Sequence, residues 1–259
     1  MSFRFASAPH CLALLLIATF CSCVNTKKVT YLNDVPAHLV MNAPPIIEQR
    51  IAPSDILNIQ VTSPNPEATA IFNAPGVTTV AGTNNQQTTG YLVDSDGYLQ
   101  FPLVGRIRAA GLTKKEFTDT LRNQLIDKKL LLDPVVAVRF LNFRVTVLGE
   151  VARPTVVPVP NEKISLLEAI GMAGDLTIFG RRDNILLIRE EGGQRTMHRI
   201  NLNSKDLFSS EYYYLRNGDI VYAEPNKAKV ASATNSRQLL PIILSGLSFV
   251  AIIFDRATR

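Results

Sequence analysis

The chain lacks tryptophan and is poor in the residues that most often carry metal binding and catalysis. Among its 259 residues are three cysteines and three histidines. All three cysteines lie within the first 23 residues, and the histidines are far apart in the sequence. The remaining chain can therefore form no disulfide, cysteine zinc site or thiol active site. A histidine-rich zinc centre is not expected either.

Charged residues are also sparse. They make up 19% of the chain, below the quarter that is typical of globular domains. The net charge is +5, but the basic residues are dispersed as pairs, whereas nucleic-acid binders usually cluster them on one face. Apolar residues account for 46% of the chain, and its length is enough to bury a sizeable core. The composition therefore argues against a disordered tail protein and against nucleic-acid binding.

An apolar segment near the N-terminus has the features of an export signal. Residues 11–20 follow Arg4 and have the length of a signal-peptide core, too short to span a bilayer. The sequence Phe20-Cys21-Ser22-Cys23 resembles a bacterial lipobox. We expect cleavage after Ser22 and lipidation of Cys23. An ordinary signal peptide cut nearby and an uncleaved anchor are the alternatives.

A second apolar segment, residues 239–254, lies near the C-terminus. Sixteen residues make a helix of about 24 Å, which is short for a typical span of about 20 residues, although outer membranes are thinner than average. A weak polar stripe marks one side, and its candidate lumen-facing residues are Gln238, Ser245, Ser248 and Asp255. The segment is predicted to be a transmembrane helix facing lipid and a wet lumen. A plain hydrophobic anchor and a buried terminal helix are the alternatives.

The first half of the interior is predicted to be rich in strands. Leu57, Ile59 and Val61 alternate with polar residues, which is typical of a half-buried strand. Residues 75–90 are rich in Gly, Thr, Asn and Gln, and we interpret them as a loop. Residues 91–105 contain Asp96-Gly97 and are predicted to form a β-hairpin around that turn.

Two capping boxes predict two helices. Thr113 and Glu116 form the first box, followed by an apolar stripe of Phe117, Leu121 and Leu125. The second box, Ser165 and Glu168, opens a short helix that Gly174 ends. Strands are predicted at residues 135–143, 145–151, 184–189 and 194–202, and near residue 220. Together these elements indicate an α+β fold: a β-rich first domain, then a second small domain and a C-terminal membrane helix.

Several blocks of this sequence resemble the bacterial outer-membrane polysaccharide export lipoprotein family. Residues 51–59 (IAPSDILNI), 93–105 (VDSDGYLQFPLVG) and 111–113 (GLT) are similar to its polysaccharide export domain. Residues 147–154 (VLGEVARP), 167–174 (LEAIGMAG) and 187–189 (LIR) are similar to its soluble-ligand-binding β-grasp domain (SLBB). The resemblance runs from about residue 48 to residue 224.

The resemblance implies a domain order and a role. The expected segments are a lipoprotein signal peptide at 1–22, a lipidated tether at 23–47, an export domain at 48–143, a β-grasp domain at 144–225, a linker at 226–236 and a transmembrane helix at 237–255. It further implies a homo-oligomeric ring that is lipid-anchored in the outer membrane and lies mostly in the periplasm. Capsule or exopolysaccharide would pass through its lumen. The implied inner-membrane partner is a chain-length-determining protein or tyrosine kinase.

The residues themselves show no catalytic set. No Ser-His-Asp arrangement can be defended, no phosphate loop is present, and no enzyme activity, cofactor or metal is expected. The candidate polymer contacts are Arg181 and Arg182, placed in a predicted loop, and Tyr212 and Tyr214. A solvated loop and packing within or between subunits are their respective alternatives. The competing function is a non-channel periplasmic sugar-binding or scaffolding module of a polysaccharide assembly complex.

Overall fold

The computed structural model describes residues 30–42, 44–45, 47–73, 78–81, 87–233 and 236–257. Its helices are α1 (Pro66–Asn73), α2 (Lys114–Asp127), α3 (Leu166–Met172), α4 (Lys227–Ala233) and α5 (Ser236–Ala257). Its strands are β1 (Ile56–Thr62), β2 (Thr78–Ala81), β3 (Gln87–Leu92), β4 (Tyr98–Phe101), β5 (Gly105–Arg108), β6 (Val135–Phe140), β7 (Arg144–Gly149), β8 (Thr155–Pro158), β9 (Gly180–Glu191), β10 (Gln194–Ile200) and β11 (Ile220–Pro225). The described chain is thus mixed α and β, with β-rich sheets.

The first unit is built on an antiparallel sheet with the strand order β2-β3-β1-β6. β1 lies inside this sheet, paired with β3 on one side and with β6 on the other. Leu57, Ile59 and Val61 are buried, and the residues between them are exposed. The predicted alternation is therefore confirmed, because successive side chains of a strand point to opposite faces.

Helix α2 packs against β6 and begins as the sequence predicts. The Thr113 hydroxyl accepts a hydrogen bond from the Glu116 amide at 3.2 Å, and the Glu116 carboxylate accepts one from the Thr113 amide at 2.7 Å. A side-chain cap of this kind stabilises a helix by about 1 kcal/mol. Phe117, Leu121 and Leu125 are completely buried. Both the capping box and the apolar stripe are confirmed.

The Asp-Gly turn forms, but the predicted hairpin around it was wrong. The Asp94 amide donates to the Tyr98 carbonyl at 2.7 Å, and Gly97 has a φ of +85°, as a turn glycine allows. Beyond the turn, however, β4 pairs with β5. The preceding strand, β3, pairs with β1 through Tyr91 and Leu57. Apolar burial in the sheet, rather than the turn, decides the partner of each strand.

The predicted loop at 75–90 was partly wrong, and one helix was not predicted. Strands β2 and β3 pair in register from Thr78 with Gly90 to Ala81 with Gln87; residues 74–77 and 82–86 lie outside the described part. Helix α1 precedes them. The Asn65 side chain accepts from the Glu67 amide at 3.1 Å, and Pro66 opens the helix. An asparagine cap before a first-turn proline was the available sequence signal.

The second unit contains a mixed sheet with the strand order β10-β9-β11-β7-β8. β11 runs parallel to β7 and antiparallel to β9. The capping box of α3 is confirmed, since the Glu168 carboxylate accepts from the Ser165 amide at 2.7 Å and the Ser165 hydroxyl accepts from the Glu168 amide at 3.2 Å. Gly174 follows the end of α3 with a φ of +82°.

The two units share one continuous apolar core and several polar contacts. The Asn217 side chain donates to Asp55 at 2.9 Å, and the Asn217 amide donates to Gln49 at 2.9 Å. Glu162 pairs with Lys114 and accepts from the Phe140 amide at 2.8 Å. Burial raises the pKa of the Asp55 carboxyl. These contacts fix the turn before β11 against the turn before β1.

Helix α5 is present but does not bear out the predicted membrane span. It covers 22 residues, and from residue 241 to residue 254 every side chain is exposed. Its uncharged and mostly apolar run is only the 16 residues 239–254, with Arg237 and Asp255 flanking it. That run is about 24 Å long, against a hydrocarbon core of about 30 Å. None of the helices in the described ranges combines the length and the apolarity needed to cross a membrane.

Candidate functional site

The three consecutive tyrosines, residues 212–214, form an aromatic cluster with neighbours from other elements. The Tyr212 ring stacks on His198 of β10, with the centroids 4.0 Å apart. Tyr213 packs edge-on against Tyr214 at 4.9 Å and contacts Phe208 at 5.6 Å. All three tyrosines are half-buried. Each ring therefore already has an aromatic partner within the subunit and leaves only part of its surface to solvent.

Cations complete this cluster. The Arg189 guanidinium lies 5.6 Å from the centroid of Tyr212, and the Lys163 ammonium lies 4.9 Å from that of Tyr214. Such contacts are attractive because the face of an aromatic ring carries negative charge. Burial raises the pKa of the Tyr212 hydroxyl.

The segment that precedes the first sheet folds over the same unit. The Leu32 amide donates to the Leu202 carbonyl at 3.0 Å, and Asp34 accepts from the Lys205 amide at 2.8 Å. The Tyr31 hydroxyl bonds to Asp175. Further along, this segment and the aromatic cluster border an open cavity of about 310 Å³. Its lining comes from Val35, Leu39, Met41, Asn42, Pro44, Phe208, Tyr213 and Tyr214.

The sequence analysis placed Arg181 and Arg182 in a loop, and this prediction was wrong. Both residues lie at the start of strand β9. They are strand residues because Gly180 pairs with Pro225 of β11 and because the Arg182 carbonyl accepts from the Leu202 amide at 2.7 Å. As strand neighbours they have opposite orientations, and consequently very different surroundings.

Arg181 is neutralised by two carboxylates. It contacts Asp183 at 3.1 Å and Glu224 at 3.3 Å. Glu224 also pairs with Arg199 at 2.8 Å, and this hydrogen bond is the main reason why the pKa of the Glu224 carboxyl is lowered. Arg181 thus belongs to a surface charge network and leaves little free charge for a polymer.

Arg182 is buried, with an exposed fraction of 6%. One of its terminal nitrogens, Nη1, donates to the carbonyls of Thr177 and Gly180 at 3.4 and 3.2 Å, and its guanidinium lies 5.2 Å from the ring centroid of Tyr31. Its Nε atom has no hydrogen-bond acceptor among the described residues. The two arginines that the sequence singled out therefore differ. Arg181 forms ion pairs with two carboxylates, whereas Arg182 forms no ion pair with a described residue.

An open cleft of about 970 Å³ lies beside these arginines, between the start of β9 and helix α4. Arg181, Arg182, Asp183 and Lys227 bring charge to its lining, and Asn203 and Asn226 bring amides. The apolar part of the wall comes from Ile178, Pro225, Ala228, Val230 and Ala231. The size matches known ligand pockets of about 300–1,000 Å³, which combine apolar walls with a few polar groups. We call it the α4 cleft.

Of the remaining predicted site residues, Ser245 and Ser248 line neither the α4 cleft nor the cavity beside the aromatic cluster. Ser245 and Ser248 are exposed on α5, where their hydroxyls donate to the carbonyls of Pro241 and Leu244 at 2.8 and 2.9 Å. Gln238 and Asp255 lie on the same helix, but their side chains are outside the description, as is the whole of Cys23. Asn203 was missed by sequence reasoning, since a single asparagine after a strand carries no distinguishing signal.

Comparison with known families identifies both units. Residues 44–141 match the family described as polysaccharide biosynthesis/export protein, and residues 144–199 match the SLBB domain. The chain belongs to the polysaccharide export family. Proteins of this family are non-enzymatic transporters, which agrees with the expectation that the chain is not an enzyme.

Two curated relatives support this assignment, and both carry the description "EPS I polysaccharide export outer membrane protein EpsA". The relative from Ralstonia solanacearum is 30% identical over 187 residues, which cover 69% of this chain and 48% of the relative. The relative from Ralstonia nicotianae is 34% identical over 140 residues, covering 52% of this chain and 36% of the relative. The matched part thus spans less than half the length of each relative.

Proposed function

We propose that this protein is an outer-membrane component of a polysaccharide export system and forms part of the conduit for capsule or exopolysaccharide. The observation that carries the proposal is the pair of adjacent family matches, an export domain followed directly by an SLBB domain. The descriptions of the two relatives name polysaccharide export and the outer membrane, and they support the proposed role and location.

We further propose that the protein works as a homo-oligomer, with α5 as a contact between subunits. Helix α5 exposes large apolar side chains over most of its surface, among them Ile242, Leu247, Phe249 and Ile253. Contiguous exposed apolar surface of this extent marks an interaction site. Because the hydroxyls of Ser245 and Ser248 lie three residues apart, they share one helix face. That face would point to the wet interior of a ring.

The aromatic cluster and the α4 cleft are the proposed polymer contacts, through Tyr212, Tyr214 and Arg182. Arg181, whose charge is compensated by Asp183 and Glu224, would contribute to the wall of the cleft and not as a free charge. Partly exposed rings offer apolar faces to sugar rings, and the cleft supplies polar groups that can bind hydroxyls. Lipidation of Cys23 would hold the subunit at the membrane. An inner-membrane chain-length-determining protein or tyrosine kinase would deliver the polymer.

Deletion of the gene tests the export role. We expect surface polysaccharide to be lost while polymer synthesis continues, so that polymer accumulates inside the cell. A deletion strain with normal surface polymer would refute the proposal. Complementation with the unaltered chain is the control, and mass spectrometry of the purified protein tests lipidation at Cys23.

The native mass of the complex tests the oligomer. The full chain is extracted in mild detergent and its mass is corrected for bound detergent. We expect one large species of several subunits, and substitution of Ile253 by Asp should break it into smaller species. A monomer in several detergents would instead favour the second candidate, a non-channel sugar-binding or scaffolding module. The α4 cleft supports that candidate as well, since it lies within a single subunit.

A further inference from the structure

The second sheet carries apolar side chains on both of its faces. One face belongs to the core, where the completely buried residues are Val145, Val147, Ile185, Leu187 and Val221. The residues between them form the opposite face, which we call the outer face. Cross-strand partners lie on the same face of a sheet. One row of such partners crosses all five strands and consists of Val156, Thr146, Ile220, Ile188 and Met197. The next row consists of Leu148, Tyr222 and Leu186.

The outer face is open to solvent. Leu148, Val156 and Met197, which lie on three different strands, are 40%, 49% and 63% exposed. By contrast, the outward side chains of β1 in the first sheet are polar, among them Asn58 and Gln60. Polar residues are usual where a sheet faces water. A contiguous apolar face that remains exposed indicates an interaction site.

Charged residues border the outer face at both ends of its strands. Glu224 follows Tyr222 by two residues on β11, on the same face, and pairs with Arg199 of β10 at 2.8 Å. At the other end, Glu190 of β9 pairs with Arg195 of β10 at 3.1 Å. An apolar centre with a polar rim is the usual composition of a protein–protein interface.

Helix α5 provides apolar surface that also lacks a partner. Ile243, Leu247 and Val250 are exposed and are four and three residues apart, so they form one stripe along the helix. At about 100° per residue, this stripe lies on the side opposite Ser245 and Ser248. Within one copy the stripe and the outer face are both exposed, so α5 does not cover the sheet of its own subunit in this structure.

The size of the outer face fits a single helix. Five strands that are about 4.8 Å apart span about 24 Å, and two rows of side chains cover about 14 Å. The uncharged and mostly apolar run of α5 is about 24 Å long, and a helix with its side chains is about 10 Å wide. The outer face has an area of roughly 300 Å², whereas a typical interface buries about 800 Å² per partner. It therefore suits a helix better than the surface of a separate globular protein.

We propose that the outer face of the second sheet binds α5 of a neighbouring copy, through the stripe of Ile243, Leu247 and Val250. Each copy then offers a helix to one neighbour and a sheet face to the other. A head-to-tail contact of this kind can close into a ring. Ser245 and Ser248 face away from the sheet and stay accessible to water. This inference rests on the proposed homo-oligomer and adds the surface to which α5 binds.

Disulfide formation between two variants of the full chain tests the contact. One copy carries Ile188→Cys, a differently tagged copy carries Leu247→Cys, and both are co-expressed and oxidised in membranes. We expect a reducible species that contains both tags, which only a contact between copies can produce. The native cysteines all lie within the first 23 residues, and the parent chain measures their background. Met197→Cys, at a more exposed position of the outer face, replaces Ile188→Cys if that variant does not fold.

Two matched pairs serve as controls. Ser245→Cys with Ile188→Cys tests the opposite side of the same helix, and Gln60→Cys with Leu247→Cys tests the outward face of the first sheet. Both pairs should give no more cross-linked species than the parent chain. No link between the Ile188→Cys and Leu247→Cys copies, or a yield equal to that of the controls, would overturn the proposal.

A single chain that carries both Ile188→Cys and Leu247→Cys separates the two possible sources of the helix. This chain is co-expressed with an excess of the unaltered chain, so that double-variant copies seldom meet. We expect the disulfide within one chain to be absent. A disulfide that forms within the chain, with none between copies, would show that α5 covers its own sheet and would overturn the proposal.

The native mass in mild detergent gives a second, independent test. Met197→Asp places a carboxylate on the outer face, where burial against α5 would be unfavourable, and we expect the large species to be lost. Gln60→Asp on the first sheet is the control and should keep it. A large species that persists in Met197→Asp would refute the docking of α5 on the sheet and leave the oligomer standing. A wild-type chain that is monomeric in every detergent would refute the proposed oligomer itself.

Discussion

Arg189 and Asp219 form a buried, two-pronged ion pair between strand β9 and the turn before β11. Arg189 Nη2 lies 2.7 Å from Asp219 Oδ2, and Arg189 Nε lies 3.0 Å from Oδ1. The two side chains are 4% and 1% exposed. Asp219 also accepts from the Arg216 amide at 2.8 Å. The pair thereby joins the turn before β11 to β9 and contacts the aromatic cluster through Tyr212.

Removing one member of this pair should destabilise the protein strongly. Asp219→Asn or Arg189→Met leaves the other group buried without compensation, and we expect the free energy of unfolding to fall by about 3–5 kcal/mol. Urea unfolding followed by circular dichroism measures it. Glu190→Gln, which breaks an exposed pair with Arg195, is the control and should cost less than about 1 kcal/mol. If the buried and the exposed substitutions lowered the free energy of unfolding equally, burial of the Arg189–Asp219 pair would not increase its contribution to stability.

Gly149 should not tolerate a side chain. It has a φ of +90°, and a Cβ added there would lie 2.1 Å from the Ala223 carbonyl oxygen of the neighbouring strand. Gly149→Ala should therefore lower the free energy of unfolding by about 3 kcal/mol or more, because backbone strain and overpacking add. The matched control is Gly171→Ala within α3, where an added Cβ would meet no atom within 4 Å apart from the adjoining backbone of the helix itself. This variant should be neutral or stabilising. The melting temperatures of both variants, compared with that of the wild type, test this prediction. A Gly149→Ala variant as stable as Gly171→Ala would contradict it.

The capping box of α3 should make stability depend on pH. The hydrogen bond from the Ser165 amide is the main reason why the pKa of the Glu168 carboxyl lies below its usual value of 4.5. A carboxyl whose pKa is lower in the folded state than in the unfolded state stabilises the fold. This stabilisation is fully present above the pKa of the unfolded state and is lost as the pH falls through the pKa of the folded state. Glu168→Gln keeps a neutral acceptor and should lose this contribution.

The expected signature is a difference in unfolding free energy between wild type and Glu168→Gln that is constant above about pH 5.5 and shrinks below it. Ser165→Ala is the control. It removes the reciprocal cap and the smaller lowering of the Glu168 pKa by the Ser165 hydroxyl, but it leaves the amide that Glu168 accepts from. The part of its destabilisation that comes from the lost cap should therefore persist at every pH. If the free energy of unfolding of Glu168→Gln depended on pH in the same way as that of the wild type, the Glu168 carboxyl would not be the source of the pH dependence.

The polar face of α5 can be tested by making it apolar. Ser245 and Ser248 are exposed and donate only within their own helix, so Ser245→Leu with Ser248→Leu should leave the melting temperature unchanged. We expect surface polysaccharide to decrease, since the face that would border the wet lumen is lost. Leu244→Ile with Leu247→Ile, which conserves volume and polarity, is the control. Unimpaired export by the double leucine variant would show that these serines do not border the polymer path.

Local signals in the sequence were sufficient for elements that local physics controls. The capping boxes at Thr113 and Ser165 were predicted correctly, because the hydrogen bonds that make a cap join residues three positions apart. The buried face of β1 was also predicted correctly, because alternate side chains of a strand point to the same face of the sheet. The family was also evident from short blocks such as residues 93–105, and the comparisons confirmed it.

Strand partners depend on contacts that are distant in the sequence. The Asp-Gly turn predicted a hairpin, yet β3 pairs with β1, about 35 positions earlier in the chain. Arg181 and Arg182 were placed in a loop because their strand character comes from pairing with β11, some 45 positions away. Periodicity within a short window contains no information on either partner.

The sequence by itself determined the family, the two capped helices and the small set of residues worth testing, because each depends on neighbours along the chain. The tertiary structure alone decided which of two adjacent arginines is paired. Alternation along β9 directs Arg181 to surface carboxylates and Arg182 to a buried position beside Asn203. That difference arises because burial, charge compensation and the shape of a cleft are set by elements brought together only when the chain folds.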